Sequence, residues 1–483
     1  MVKNNNKCYN IYYMNPEKAK RRQSLKVIIS ESIMVLAIIL MVTALAFIVS
    51  GYWLNSDFKV ERNGLLQISS VPTGADISID SESAWMQRTN TSKVLSSGQH
   101  TITLTKDGYD SWTKTINISE GLLYRIHYPR LFPNDRTAEN VLDVTSTTLA
   151  TTSPDHNSLI LINDTTNWSF INLDSDDIKP QILDISKIFS SVSLAEDAEV
   201  GLFTGKILDI DWDYNGTHAL FKVQSDDATE WALLDVKNPK NSINLTREFG
   251  SNFTEVQILD NDSNNLLAVQ NGNLHRIDIY GKSLSAVLIE NIVNFDHYGN
   301  NEIIFSAKNS STEETAPYYI GLLKIDDDKI TTLATTPTPA KVTLSKFYDD
   351  KYITILEGNL VSLYQKEDFK PLHTFELTFE PNTMEVGHSG EFITMTLDNQ
   401  IATLDMESTA IIEWQTDSPN FGWIDNDMIY SIASGNLTVY DYDGLNRRTI
   451  ATNVSSHFPA AITNNKWLYY FSDDSLVREV ITN

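Results

Sequence analysis

Short apolar runs that alternate with polar residues fill most of the chain after about residue 137. In the clearest places two such runs are joined by a tight turn, as at Asn271-Gly272 and Gly358-Asn359. Asn-Gly favours a type I′ hairpin because both of its central positions need positive φ. The four clearest predicted hairpins pair Leu266–Gln270 with Leu274–Ile279, Tyr352–Leu356 with Leu360–Tyr364, Phe392–Leu397 with Ile401–Asp405, and Met428–Ile432 with Leu437–Tyr440.

Weaker copies of the same pattern begin at Asp155, Asn215, Gly299 and Asn464. Together they make eight units over about 347 residues, or about 43 residues per unit, which is the spacing of four-stranded propeller blades. Residues 137–483 are therefore predicted to form a β-propeller, with eight blades preferred and seven as the alternative. A string of separate sandwiches would repeat at about 80–100 residues.

A second β region, 63–133, shows strict period-2 alternation that predicts a small antiparallel β-sandwich. Turn residues such as Pro72, Gly74, Gly98 and Gly108 separate the predicted strands, and Ser81–Thr89 is expected to be a loop. The predicted strands are Leu66–Ser69, Ala75–Asp80, His100–Lys106 and Thr113–Ser119.

One apolar segment near the N-terminus is long enough to cross a bilayer. Ile33–Leu54 would span about 33 Å as a helix, and a transmembrane signal-anchor is expected over residues 27–54. Tyr52 and Trp53 suit the membrane interface. The alternatives are a cleavable signal peptide, whose apolar region would be shorter, and a buried core helix, which would seldom be apolar over so many positions.

Basic residues precede this segment, at Lys18, Lys20, Arg21, Arg22 and Lys26. The positive-inside rule predicts a single-pass protein of the cell membrane, with a cytoplasmic basic arm at 1–26 and residues 55–483 outside the cytoplasm. Met14 is an alternative start to Met1. The single cysteine, Cys8, lies in the arm, so the predicted exterior part must be stable without disulfides.

Summed over its full length, the chain is acidic, with 63 Asp and Glu against 37 Lys and Arg and a formal net charge of −26. Because such a surface repels phosphate backbones, nucleic acid is excluded as an expected partner.

Residues 63–133 resemble the PEGA domain. The family tetrapeptide is present as Pro72-Thr73-Gly74-Ala75, with Thr in the second position, and Lys106–Trp112 matches the late step that contains Gly108-Tyr109. Ile77–Asp80 and Ser97–Ile102 match as well, whereas Thr91-Ser92-Lys93 departs from the usual Thr-Pro. The resemblance implies a structural or anchoring role in the cell envelope and brings no catalytic residues. For the three glycines and for Tyr109 and Trp112, turn and packing roles are expected.

Two later segments are similar to repeats of TolB-type and dipeptidyl-peptidase-type propellers. These are Asp211–Gly216, with Ser153-Pro154-Asp155 as a partial copy, and Asp441–Arg448. The resemblance implies the fold and not an activity; members of these families serve as interaction platforms or as gating lids on hydrolase domains. We expect no hydrolase domain after the last repeat.

No motif for nucleophilic, zinc, phosphate-loop or CxxC chemistry is present, so we expect no catalytic residue, no cofactor and no metal, and we expect that the chain is not an enzyme. Asp211, Asp213, Asn215 and Gly216 imitate the first half of a calcium loop, but Lys222 occupies the bidentate glutamate position, so a structural turn is preferred. Trp212, Trp423 and Tyr442 either stack on sugars or seal neighbouring blades.

Three functions remain open. The first is an envelope binding platform for a protein, peptide or glycan, with the PEGA-like domain as spacer or anchor and the bilayer contacted through one helix. The second is an envelope glycan hydrolase or lyase with carboxylates gathered in the propeller funnel. The third is a purely structural surface protein. A perturbed acidic pair in the funnel favours the second, and an uncharged funnel favours the third.

Overall fold

The computed structural model describes residues 16–49, 52–54, 60–193, 200–226, 228–259, 262–309, 317–327, 329–456 and 458–482. The chain divides into two compact units, each discontinuous in sequence. The first unit contains Met1–Leu104 and Thr113–His127, and the second contains Thr105–Trp112 and Tyr128–Asn483. The boundaries expected from the sequence, 63–133 and 137–483, stay predictions.

The N-terminal helix α1 spans Pro16–Val49, and its segment Val27–Phe47 is long and apolar enough to cross a membrane. The expected helix end at Leu54 is wrong, because α1 ends at Val49 and Tyr52–Leu54 forms a strand, β1, paired with β2 (Val60–Arg62). Hydropathy continues past Val49, but it does not specify the backbone: aromatic residues favour strands as well as membrane interfaces. The basic residues from Lys18 to Lys26 extend α1, while Cys8 and Met14 lie outside the described residues.

Seven further strands of the first unit form two sheets, one in the order β6-β3-β9 and one in the order β5-β4-β7-β8. They are β3 (Gly64–Ile68), β4 (Asp76–Ile79), β5 (Glu82–Arg88), β6 (Thr91–Leu95), β7 (Gly98–Thr105), β8 (Trp112–Ile118) and β9 (Leu123–Ile126). Alternate residues such as Leu66, Ile68, Ile102 and Ile116 are buried between the sheets, so the predicted sandwich is confirmed.

Two details of that prediction are wrong. The expected loop Ser81–Thr89 is mostly the strand β5, which completes a four-stranded sheet with β4. The sandwich is also not purely antiparallel, since β9 runs parallel to β3. A parallel pair needs a long connection between its strands, and alternation in the sequence gives no strand direction.

The described part of the second unit contains eight four-stranded antiparallel sheets, which we number as blades 1 to 8. Blade 1 is β11–β14 (Leu149–Thr152, Ser158–Ile162, Asn167–Asn172, Gln181–Asp184), and blade 2 is β17–β20 (Lys206–Trp212, His218–Ser225, Ala228–Asp235, Ile243–Asn244). Blade 3 is β21–β24 (Phe253–Leu259, Asp262–Gln270, Asn273–Asp278, Ser283–Leu284), and blade 4 is β25–β28 (Ile292–Tyr298, Glu302–Lys308, Tyr318–Lys324, Lys329–Thr336). Blades 5 to 7 are β29–β32 (Lys341–Phe347, Asp350–Glu357, Leu360–Gln365, Lys370–Glu376), β33–β36 (Thr383–Val386, Phe392–Leu397, Gln400–Asp405, Ala410–Gln415) and β37–β40 (Phe421–Trp423, Met428–Ala433, Asn436–Asp441, Arg448–Thr452). The hairpin of β15 (Val192–Ser193) with β16 (Leu202–Phe203) lies between blades 1 and 2, and a short helix α2 (Leu245–Phe249) lies between blades 2 and 3. A 3₁₀ turn (Pro239–Asn241) connects β19 to β20 within blade 2.

Blade 8 is built from both ends of this unit. Its first three strands are β41 (Ala461–Thr463), β42 (Trp467–Ser472) and β43 (Ser475–Val480), and its outer strand is β10 (Ala138–Asp143), which pairs with β43. Arg478 of β43 forms an ion pair with Glu139 of β10 at 2.8 Å. This pairing closes the ring.

Buried apolar clusters join each blade to the next. They connect blades 1–2, 2–3, 3–4, 4–5, 5–6, 7–8 and 8–1. Between blades 6 and 7, Phe392 stacks on Tyr442 with ring centroids 4.1 Å apart. The cyclic order of these contacts makes the unit an eight-bladed propeller, as the sequence predicted.

All four predicted hairpins are present as the second and third strands of blades 3, 5, 6 and 7. Asn271 and Gly272 have φ of 53° and 76°, as a type I′ turn requires. The four weaker signals lie in the turns between the first and second strands of blades 1, 2, 4 and 8. The number of signals therefore predicts the number of blades correctly, but each signal lies inside a blade and does not mark where the blade begins.

Candidate functional site in the propeller channel

The first strand of each blade lies at the centre of the ring. Contacts between first strands of neighbouring blades show this: Val342 N donates to Asn294 Oδ1 at 2.7 Å, and Trp212 Nε1 donates to Thr151 Oγ1 at 3.0 Å. The first strands therefore line a central channel, which is where propellers place their ligand sites.

Two aromatic rings meet across this channel. Tyr214 follows β17 in blade 2, and His388 follows β33 in blade 6; their rings stack with centroids 4.2 Å apart and an interplanar angle of 22°. Blades 2 and 6 are opposite each other in an eight-membered ring. The channel is therefore crossed by a ring pair at the end where first strands turn into second strands.

Four acidic side chains of the first strands lie in the same channel as that ring pair. Asp209 and Asp211 come from β17 in blade 2, Glu255 from β21 in blade 3, and Glu385 from β33 in blade 6. Asp209 interacts electrostatically with the other three carboxylates, and Asp211 interacts with Glu385. Carboxylates from opposite sides of the ring thus share one channel.

Three of the four, Asp211, Glu255 and Glu385, bind protons more tightly than free carboxyls do. Desolvation raises the pKa of Asp211 to about 6, and the charges of Asp209 and Glu385 add to this shift. The backbone N–H of Trp212 and the charge of His297 oppose it. Burial and the charge of Asp209 also raise the pKa of Glu385. Asp211 and Glu385 are nevertheless accessible to solvent. A narrow water-filled channel explains both the raised pKa values and the solvent accessibility, because its walls desolvate a side chain that water still reaches.

Few positive groups offset this charge among the described residues. The pKa of Glu255 is raised by burial, and this shift is opposed by a hydrogen bond from Gln257 (2.9 Å) and by the charge of Lys222. Lys222 itself donates to the Thr254 carbonyl at 3.1 Å and lies over the Trp231 ring. The channel is therefore a concentration of negative charge and of oxygen ligands, suited to an ammonium, a guanidinium or a hard metal ion.

Histidines and an ion pair surround the end of the channel where the rings meet. His156 in blade 1 is buried, and desolvation lowers its pKa; His388 is partly buried and shifted in the same direction by the same cause. Both imidazoles are therefore neutral near pH 7. Nearby in blade 7, the buried Asp425 forms an ion pair with Arg130 at 2.9 Å.

The calcium-like segment divides between the channel and a turn. Asp213 is buried and accepts hydrogen bonds from the backbone N–H groups of Thr217 (2.6 Å) and His218 (2.9 Å), while Gly216 has φ of 61°. Asp213 thus caps a tight turn, and the preference for a structural turn over a calcium site stays a prediction. Asp211 instead belongs to the channel, a role that the sequence analysis did not assign to it.

The three aromatics singled out from the sequence are not exposed. Trp212 and Tyr442 are 8% and 3% exposed, and Trp423 is partly buried. Trp212 Nε1 donates a hydrogen bond to Thr151 Oγ1 in blade 1, and the Tyr442 hydroxyl donates to Asp405 in blade 6 at 3.2 Å. They seal neighbouring blades, so the sugar-stacking alternative is wrong for Trp212 and Tyr442.

The sequence-predicted residues of the first sandwich occupy turns and its core. Gly74, Gly98 and Gly108 have φ of 79°, 128° and 79°, a region that favours glycine. Ala75 is fully buried, and its N–H donates to Thr89 Oγ1 at 3.0 Å. Pro72 follows a cis peptide bond, and Tyr109 is partly buried with Lys106 over its ring. The side chains of the basic residues in α1 lie outside the described part.

Several solved structures are similar to the chain. The Dos1 propeller is 14% identical, covering 72% of this chain and 94% of its own, with a TM-score of 0.42. An oligogalacturonate lyase from Vibrio parahaemolyticus is 11% identical, covering 56% and 88%, with a TM-score of 0.36. The dihydro-heme d1 dehydrogenase NirN is 12% identical, covering 62% and 65%, with a TM-score of 0.39. No curated protein matches the chain significantly.

The expectation that the chain is not an enzyme is corrected by these comparisons. A lyase and a dehydrogenase are among the similar structures, so this architecture does not exclude catalysis. At these identities and TM-scores the likenesses carry no inference about what the chain itself does. The propeller assignment rests on the order and pairing of the strands.

One family model matches the chain, the PEGA domain, over residues 63–130. The match covers the segment in which the tetrapeptide and the Gly-Tyr step were found, together with the two-sheet sandwich. The chain therefore carries an apolar helix that could span a membrane, a PEGA domain at residues 63–130 and a C-terminal eight-bladed β-propeller.

Proposed function

We propose that this chain is a membrane-anchored protein of the cell envelope whose propeller channel binds a cationic segment of a protein or peptide partner. The observation that carries the proposal is the convergence of Asp209, Asp211 and Glu385 from opposite blades, with raised pKa values for Asp211 and Glu385.

The charge of the channel discriminates among the ligand classes. Carboxylates that repel one another are stabilised when a lysine or arginine side chain enters between them, since the cation replaces repulsion by attraction. A neutral glycan gains nothing from this electrostatic attraction, and an acidic polymer is repelled by the carboxylates. A basic peptide segment is therefore favoured over a glycan, and a purely structural role leaves the charged channel without a purpose.

The test is titration of the purified full chain in detergent with a fluorescent oligolysine peptide, read by anisotropy, with an oligoglutamate peptide as the negative ligand. We expect Glu385→Gln to weaken oligolysine binding about tenfold, which corresponds to about 1.4 kcal/mol. The matched control is Asp327→Asn, which removes one exposed charge at an outer turn of blade 4. Equal weakening by both substitutions would show that binding follows overall charge and would refute the channel as the site.

The anchor and its orientation belong to the same proposal. The helix α1 fixes the protein to the membrane, with the basic residues from Lys18 to Lys26 in the cytoplasm, residues 55–483 outside, and the PEGA domain as a spacer or envelope anchor. Protease treatment of intact cells should remove the propeller. A propeller that resists protease in intact cells and is digested after lysis would place it inside.

A second candidate function is favoured by one observation. Asp211, whose pKa is raised to about 6, shares the channel with the carboxyls of Asp209 and Glu385, and a proton donor and a carboxylate are the pair that glycosidic bond cleavage requires. The test is a panel of envelope polysaccharides assayed for new reducing ends or unsaturated products, with Asp211→Asn as the variant. Turnover by the parent chain that Asp211→Asn abolishes would establish this function in place of simple binding.

A further inference from the structure

A row of apolar side chains crosses the outer face of the β6-β3-β9 sheet in the PEGA domain. Val94, Leu65 and Leu123 are direct neighbours in the strand register, and Leu122 precedes the last of them. Their exposed fractions are 55%, 38%, 39% and 62%. We call these four residues the apolar row.

The next row of the same face is polar. It consists of Ser92, Gln67 and Arg125, paired in the same register. The outer face is therefore polar, as expected for a sandwich, except at the end where β3 begins. On a soluble domain, a contiguous exposed apolar patch with a polar rim is one mark of a contact surface.

Covalent geometry limits how far the apolar row can lie from the membrane anchor. The helix ends at Val49, three residues before Tyr52, and the register pairs Tyr52 with Arg62, three residues before Leu65. The path runs from Val49 to Tyr52, across the strand pair to Arg62, and on to Leu65. With at most 3.8 Å per residue and about 5.5 Å across the pair, Leu65 lies within about 30 Å of Val49. The apolar part of α1 ends at Phe47. Since the polar layer of a bilayer adds about 5–8 Å to the hydrocarbon edge, the apolar row is within reach of the headgroups.

We propose that the apolar row docks the PEGA domain onto the surface of the bilayer in which α1 is inserted. The short connection keeps the row at a high effective concentration near the lipid, so a patch too small to bind a free membrane suffices here. Arg125 in the adjacent row adds attraction to anionic headgroups. The lipid is favoured over a second copy of the chain because the row lies at the tethered end of the domain.

The experiment uses the full chain with Cys8→Ser as background, reconstituted in phosphatidylcholine vesicles with and without phosphatidylglycerol. An environment-sensitive dye is attached to Ser92→Cys, beside the row, and in a matched protein to Asn117→Cys, an exposed position on β8 in the other sheet. Doxyl groups on the lipids near the headgroup quench a dye that touches the bilayer. We expect several-fold stronger quenching at position 92 than at 117.

The second variant removes the row without touching the core. Val94→Gln with Leu122→Gln changes two exposed side chains, so the thermal unfolding midpoint should hold while quenching at position 92 falls to the level at 117. Equal quenching at both positions in the parent chain overturns the proposal. So does energy transfer between labelled chains at position 92 without lipid quenching, since that result assigns the row to a second copy.

Discussion

Replacing Asp211 by Asn should stabilise the protein at neutral pH, although it removes a native side chain. The pKa of this carboxyl is raised from 3.8 to about 6 in the folded chain. Above pH 6 the folded state therefore holds a charge that the unfolded chain would hold at lower cost. At 1.36 kcal/mol per pH unit the difference corresponds to about 3 kcal/mol. Because the side chain reaches solvent, screening reduces this to about 1 kcal/mol.

The sign of the effect fixes its pH dependence. As pH falls from about 6 towards 4, the folded chain takes up the proton before the unfolded chain does, so the parent protein gains stability in this window. Asp211→Asn has no such proton to bind. The variant should therefore be more stable than the parent at pH 7 and equal to it at pH 4, as measured by urea unfolding followed through tryptophan fluorescence.

The control is an acid two residues away whose environment has the opposite effect. Although burial opposes the shift, the pKa of Asp213 is lowered by hydrogen bonds from His218 and Thr217. Asp213→Asn should lower the stability at pH 7 by about 2 kcal/mol, since it removes hydrogen bonds to a charged group. The reasoning is refuted if Asp211→Asn is destabilising at pH 7, or if its effect is the same at pH 4 and pH 7.

Three further substitutions test the packing of the propeller. Arg130→Ala leaves the buried Asp425 without its cation and should cost about 3–5 kcal/mol in urea unfolding. Lys179→Ala, at an exposed ion pair, should leave the stability nearly unchanged, and similar losses for the two variants would contradict the burial argument. Gly321→Ala brings a methyl group to 2.4 Å from the Phe305 ring and should lower stability by about 1–3 kcal/mol, with recovery in the Phe305→Leu background. Asn140→Pro in β10 removes a backbone donor from the closing sheet and should make blade 8 sensitive to limited proteolysis; an unchanged cleavage pattern would mean that the closure contributes little.

The blade count could be predicted because its signals are local. A type I′ turn depends on two adjacent residues, and the turn at Asn271-Gly272 has the φ values that this sequence favours. Eight turn signals, four strong and four weak, correspond to eight blades. The PEGA domain was predictable for the same reason, since its turns carry recognisable glycines.

The candidate site could not be predicted in the same way. Asp211 and Glu385 lie far apart in sequence and come together only because blades 2 and 6 are opposite in the closed ring. A weak signal was present: Asp209, Glu255 and Glu385 each occur on a first strand, in different blades. The parallel strand β9 and the end of α1 at Val49 were missed because hydropathy reports burial and not strand direction or backbone conformation.

The closure of blade 8 has a consequence for biogenesis. The strand β10 is translated more than 300 residues before its partner β43. At ribosomal rates of about 5–20 residues per second, β10 waits for about 20–70 seconds with an open edge. During that interval β10 exposes an unpaired strand edge, and a chain that stops before β43 lacks the pairing that closes the ring.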